Sequence, residues 1–215
     1  MTYCDEKKII FVHLVKTGGS SIKEAFSMPW GNHMMVEELF DDSLSSNKKI
    51  SKGEERHFSS VDEIKMFKEK IRARWDSYYK FSFVRNPWDR VISEIFFNIK
   101  RGKLKGGEIK KKILNKCKGS SENVWNKNYI EWLINSSGGV DLDFIGRFEN
   151  LQSDINKICD DISIKRRTLK RLNTSRRKNY AEYYEKEQML AVKNTYQKDV
   201  DYFGYKFNMK YGFKI

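Results

Sequence analysis

Lys16, Thr17, Gly18, Gly19, Ser20 and Ser21 follow directly on an apolar run, in the stretch IFVHLVKTGGSS from Ile10 to Ser21. Each offers something to an oxyanion. Lys16 brings a mobile positive charge, and Thr17, Ser20 and Ser21 bring hydroxyl donors. Gly18 and Gly19 lack β-carbons, so the backbone can curl and approach an anion closely. A helix starting there adds N–H groups and the positive end of a dipole. The set suits a 5′-phosphate or its sulfated equivalent. For a lone glycine pair, a tight strand-to-helix turn with a surface lysine is the plainer reading. The strand, the lysine, the hydroxyls and the S-x-x-E spacing of Ser21 and Glu24, a capping-box pattern, together favour anion binding. The order is not G-x-x-x-x-G-K-[ST], because here the lysine precedes the glycines. No convincing metal-binding acidic pair follows a later strand. Both points disfavour a nucleoside triphosphate kinase.

A second group gathers around Arg85, which ends the apolar run KFSFV at 80–84. Asn86 can cap a helix and Pro87 suits its first position. Ser93 then lies about two turns into that helix. A guanidinium can take a phosphate bidentately, and a hydroxyl can complete the site. Taken alone, Arg85 reads as a salt bridge to Asp89 or another carboxylate, and Ser93 as a small residue tolerated on a helix. A general base near neutral pH suggests histidine, and the chain has His13, His33 and His57. His57, in RHFSS before the Ser60–Glu63 capping pattern, is the chosen base, weighed evenly against a surface or cap-adjacent histidine. His13 reads as packed beside the first loop. His33, in WGNHMM, could line the acceptor side. Glu24, Glu54 and Glu55 remain rival bases. Trp30, Trp125, Tyr129 and Trp132 could stack on sugar rings, although Trp132 and Tyr129 have the spacing of packed helix residues.

These groups need elements to position them. The apolar run within 8–14 predicts a buried parallel strand. Further strands are expected near 56–59, at 80–84 and at 143–148. Helical stripes follow each: Ile22, Ala25 and Phe26; Val61, Ile64, Phe67 and Ile71; Val91, Ile92, Ile95, Phe96 and Ile99; Leu151, Ile155, Ile158 and Ile162. A last long helix is predicted from about Ala181 to Tyr202, with Gly204 near its end. Alternating strands and helices imply an α/β fold with a mainly parallel central sheet flanked by helices. Ligands of such sheets bind beyond the carboxyl ends of the strands. Lys16, His57 and Arg85 each follow a strand.

The bulk numbers bound the answer. A chain of 215 residues predicts a single domain, 1–215, with a basic, partly mobile excursion at about 101–128. The net charge of +13 favours anionic partners. A basic nucleic-acid-binding protein is the alternative class, but no RNP, zinc or helix-turn-helix signature supports it, and no nucleic acid is expected. Cys4, Cys117 and Cys159 form no disulfide framework or CxxC zinc pattern, so no metal is expected. The polar N-terminus and the lack of a long apolar run predict a soluble, cytoplasmic protein without a membrane span.

FVHLVKTGGSSI resembles the 5′-phosphosulfate loop of sulfotransferases that use 3′-phosphoadenosine 5′-phosphosulfate (PAPS). KFSFVRNPWDRVISEIFF at 80–97 resembles their 3′-phosphate-binding segment. DFIGRFENLQSDINKIC, and the long block from Leu172 to Phe207, are similar to later blocks of the carbohydrate branch related to heparan sulfate 2-O-sulfotransferase and to bacterial sulfotransferases. The resemblance touches most of the chain, with 101–128 least covered. It implies a PAPS-dependent O-sulfotransferase with a P-loop-like phosphosulfate-binding turn, PAP as product, no metal, and a hydroxyl acceptor, most naturally a glycan. A noncatalytic relative that keeps the nucleotide site is a further alternative. By the same resemblance Lys16 holds the phosphosulfate and assists the leaving phosphate. Thr17, Gly18, Gly19, Ser20 and Ser21 wrap the 5′-phosphate, and Arg85 and Ser93 bind the 3′-phosphate. His57 matches a histidine of this branch. Ser175 and Arg176 belong to a loop that closes over the nucleotide; a basic surface run is the competing reading. Val15 stands where the family often has proline, a change that removes no ligand.

Overall fold

The computed structural model of the chain describes residues 1–29, 33–41, 60–119, 126–170, 172 and 177–207. The strand expected near 56–59 lies outside them, as do His57, Glu54, Glu55, Trp30, Trp125, Ser175 and Arg176. The described residues form an α/β fold on a four-stranded mixed sheet, β1 (Thr2–Cys4), β2 (Ile9–Val12), β3 (Tyr79–Val84) and β4 (Phe144–Arg147), in that spatial order. β2, β3 and β4 are parallel, and β1 runs antiparallel to β2. β1 is the strand that patterning did not foresee, because TYC is short and sits in a polar N-terminus. The helices are α1 (Gly19–Ala25), α2 (Val36–Phe40), α3 (Val61–Trp75), α4 (Pro87–Lys100), α5 (Ile109–Cys117), α6 (Ile130–Leu133), α7 (Leu151–Asp161), α8 (Lys186–Thr195) and α9 (Gln197–Phe203).

The chain groups into two compact units. Met1–Val84 with Glu131–Leu172 form the first, and Arg85–Ile130 with Asn173–Ile215 form the second. The first holds the sheet. Alternation along β2 and β3 sends Ile9, Phe11, Phe81 and Phe83 to one core. α1 adds Ile22, its C-cap adds Phe26, and α7 adds Ile155, Ile158 and Cys159. The Phe11 and Phe81 rings stack with centroids 5.1 Å apart. Each such buried side chain contributes roughly 1.5–3 kcal/mol. Gly146 of β4 is a glycine for room: a Cβ there would lie 2.3 Å from Cε1 of Phe83. Ser60 caps α3 as its spacing predicts, its hydroxyl accepting from the Glu63 N–H at 3.1 Å.

The second unit is helical. Asn86 and Pro87 open α4 as expected, with the Asn86 amide oxygen accepting from the Trp88 N–H at 3.1 Å. Arg90 is fully buried between the rings of Tyr129 and Tyr196, 4.0 and 4.8 Å from their centroids. Asp199, also fully buried, lies 3.7 Å from its guanidinium and accepts the Tyr129 and Ile130 N–H groups. Within the basic 101–128 stretch, α5 packs on α4 and α8 with Ile113 fully buried and Lys116 paired to Glu94 at 2.6 Å. The long helix expected from Ala181 to Tyr202 is instead three pieces: a 3-10 turn at Tyr180–Tyr183, then α8, then α9. Two buried tyrosines break it. Tyr184 takes an extended backbone and donates its phenol to the Trp88 carbonyl at 2.8 Å. Tyr196 leaves helical geometry, at φ −111°, with its ring against Arg90. Gly204, at φ 64°, ends α9 as expected.

Candidate functional site

β2 ends at Val12, and the next turn delivers Lys16 with a left-handed backbone, φ 63°. A residue with a Cβ rarely sits there, and such outliers gather at functional sites. Gly18 follows at φ 84° and caps α1, which begins at Gly19. Ser21 is therefore not the cap that its S-x-x-E spacing predicts. It lies inside the first turn, with its N–H donating to the Gly18 carbonyl at 3.0 Å. The glycine's left-handed geometry starts the helix before a serine cap is needed. The Ser21 hydroxyl accepts from the Leu172 N–H at 3.3 Å. Thr17 is fully buried and donates its hydroxyl to the Leu14 carbonyl at 2.8 Å, so it stabilises the turn.

Gly19 has a different reason to be glycine. A Cβ there would lie 1.8 Å from Nε2 of His13. The imidazole fills that space, stacked on Phe11 with centroids 5.2 Å apart. His13 is thus packed beside the loop, as the sequence suggests, and burial lowers its pKa well below the ordinary histidine value, with His33 and Lys23 adding to the shift. His33 is exposed. Its ring lies 4.3 Å from that of His13, and its Nδ1 donates to the His13 carbonyl at 2.8 Å. A carbonyl can only accept, so that bond places the proton on Nδ1. Glu24, a rival base, pairs with Lys170 at 2.7 Å. Trp132 and Tyr129 are buried, 1% and 0% exposed, which makes them packing residues and not open sugar platforms.

In the second unit Arg85 is buried, and the salt bridge to Asp89 that is its plain reading is present. Its Nε and Nη2 donate to Oδ2 of Asp89 at 2.9 and 2.7 Å. That leaves Nη1 beside Ser93, whose Oγ it reaches at 3.1 Å. Arg177 donates through Nη2 to the other oxygen, Oδ1, of the same Asp89. One carboxylate therefore joins two guanidiniums. Sequence reasoning named Asp89 only as a competing partner and passed over Arg177 for its neighbours. The i, i+4 spacing of Arg85 and Asp89 is visible in the sequence; the pairing of Asp89 with Arg177, 88 residues away, is not. Among the described residues no group of three or more His, Cys, Asp or Glu could hold a metal ion, and no helix is long and apolar enough to cross a membrane.

Comparison with known proteins bears on both halves. A family model described as the sulfotransferase family matches residues 1–139. An uncharacterized protein of Archaeoglobus fulgidus is 30% identical over 106 residues, covering 49% of this chain and 85% of that protein. Human carbohydrate sulfotransferase 10 is 28% identical over 90 residues, covering 42% of this chain but 23% of that enzyme, and its rat counterpart matches equally. No solved structure is significantly similar. The family match takes in the Lys16–Ser21 turn together with Arg85 and Ser93, and on it the chain belongs to the sulfotransferase family.

Proposed function

We propose that this family member transfers a sulfuryl group from PAPS to a hydroxyl of a carbohydrate acceptor, by in-line displacement and without a metal, leaving PAP as product. The carrying observation is the family match over 1–139, which includes every described residue expected to hold the nucleotide. The likeness to carbohydrate sulfotransferase 10 supports the choice of acceptor class.

The donor set fits such a ligand. Lys16, carried on a left-handed turn, is assigned to the charge that develops on the 5′-phosphate oxygen, a preorganised electrostatic role. Gly18, Gly19, Ser20 and Ser21 surround the 5′-phosphate in this reading, as a P-loop-like turn. Thr17 serves there through its backbone, since its hydroxyl proton is committed to Leu14. Arg85 Nη1 and Ser93 Oγ, 3.1 Å apart, suit two oxygens of one 3′-phosphate. Ser175 and Arg176 are proposed to close over the nucleotide, and His57 to take the proton of the acceptor hydroxyl. PAPS, when bound, supplies the sulfuryl group and the leaving phosphate.

The test is transfer of labelled sulfate from PAPS to a panel of neutral and anionic saccharides. Labelled saccharide with the wild type, and at least a hundredfold less with Lys16→Ala or His57→Ala, is the expected outcome. Tight PAPS binding with no transfer to any acceptor would instead make the chain a nucleotide-binding relative without catalysis.

A further inference from the structure

The turn between α4 and α5 gathers lysines where local stability does not ask for them. Lys100 ends α4, Lys105 sits in the turn, and Lys110, Lys111 and Lys112 fill the first turn of α5. The start of a helix is the positive end of its dipole, where acids are favoured, yet that first turn holds none. Lys110 pairs with Glu185, Lys111 lies 3.8 Å from Glu108, and Lys112 donates to the Gly107 carbonyl. Both ion pairs join side chains more than half exposed, so water and salt screen them. Residues 101–108 are all exposed. A Cβ on Gly102, Gly106 or Gly107 would meet nothing within 4 Å, so the turn stands clear of its surroundings. It is nonetheless anchored: Lys103 and Leu104 donate their N–H groups to the Asn98 carbonyl at 2.9 and 3.2 Å. Between Lys103 and Lys105, Leu104 is 36% exposed.

This composition selects among anionic partners. No aromatic side chain occurs from Arg101 to Lys118, so bases find nothing there to stack on. Ammonium groups are point charges that suit a diffuse anionic surface more than a shaped anion. An apolar side chain set among them suits a bilayer, whose headgroups meet the lysines while its acyl boundary takes the leucine. We infer that the α4–α5 turn is a docking surface for an anionic lipid bilayer, with Lys100, Lys105, Lys110 and Lys111 against the headgroups and Leu104 at the acyl boundary. The inference does not depend on the PAPS reading. α4 has 14 residues, so the turn lies about 20 Å along it from Arg85.

Co-sedimentation of the full chain with phosphatidylcholine vesicles, with and without phosphatidylserine, tests this at low and high salt. The wild type should bind the phosphatidylserine vesicles at least tenfold more tightly than the neutral ones, and should release them as salt is raised. Lys105→Gln, Lys110→Gln and Lys111→Gln combined should weaken that binding roughly a hundredfold, at about fivefold per lysine. Leu104→Ser should weaken it about tenfold. Urea midpoints equal to that of the wild type identify the variants that fold. A wild type with no preference for phosphatidylserine would overturn the inference, as would unchanged binding in either variant. If the triple variant does not fold, Leu104→Ser alone decides. Binding to heparin or duplex DNA but not to vesicles would also overturn it, and would assign the turn to a soluble polyanion.

Discussion

Lys16 holds a backbone conformation that costs a side-chain-bearing residue roughly 1–2 kcal/mol. Removing its charge and removing its strain are therefore separable. Lys16→Gly and Lys16→Ala should both abolish sulfuryl transfer, while the glycine variant is the more stable of the two by about 1 kcal/mol in urea unfolding. Equal stabilities would mean that the turn relaxes without cost. Gly19 makes the opposite demand. Gly19→Ala places a methyl 1.8 Å from the His13 ring, so it should destabilise the fold by about 1–3 kcal/mol, read as a lower urea midpoint. The sequence shows two glycines as one anion-binding feature. In the structure Gly18 supplies a left-handed cap and Gly19 supplies room for an imidazole, and no spacing rule separates those two needs.

At the scale of elements, the best-read part of the chain is KFSFVRNPWDR. A short apolar run, a capping side chain and a proline at the first helical position are local signals, and β3 and α4 obey them. Asn86→Ala should cost about 1 kcal/mol of stability, read in urea unfolding, because the Trp88 N–H loses its capping acceptor. Nucleotide affinity should fall with the alanine variant too, since α4 follows directly on Arg85 and carries Ser93. The worst-read part is the stretch after Asn179. Its helical periodicity is real, but burial of Tyr184 and Tyr196 outweighs continuity of the helix. Such breaks are set by distant partners, the Trp88 carbonyl and Arg90, which a local pattern cannot contain. The apparent cap at Ser21 failed for a nearer reason, since Gly18 had already begun the helix.

Over the whole molecule, one fully buried ion pair weighs on stability. Arg90 and Asp199 are fully buried, and Asp199 also accepts two backbone N–H groups. Asp199→Ala should therefore destabilise by about 3–5 kcal/mol, because it takes a carboxylate from a buried guanidinium and an acceptor from two backbone N–H groups. Urea unfolding of the variant measures it. His13 is one contributor to the pH response. Its folded pKa lies well below its unfolded value of about 6.5, so below that pH the unfolded chain binds a proton that the native ring refuses. The stability that His13 contributes should be complete above about pH 6.5 and should fall as pH drops, by up to about 1.4 kcal/mol per pH unit for that proton. Asp5, held at about 2 by Arg74 and Tyr78, acts only at lower pH. Urea midpoints between pH 7.5 and 5.5 check the slope, which should flatten in His13→Asn.

The measurement that bears most directly on function is calorimetric titration of the wild type and Arg85→Ala with adenosine 3′,5′-bisphosphate, 5′-AMP and ATP. The account predicts tight binding of the bisphosphate by the wild type, much weaker binding of the other two, and loss of that preference in Arg85→Ala. Binding of the bisphosphate no tighter than 5′-AMP or ATP would contradict it.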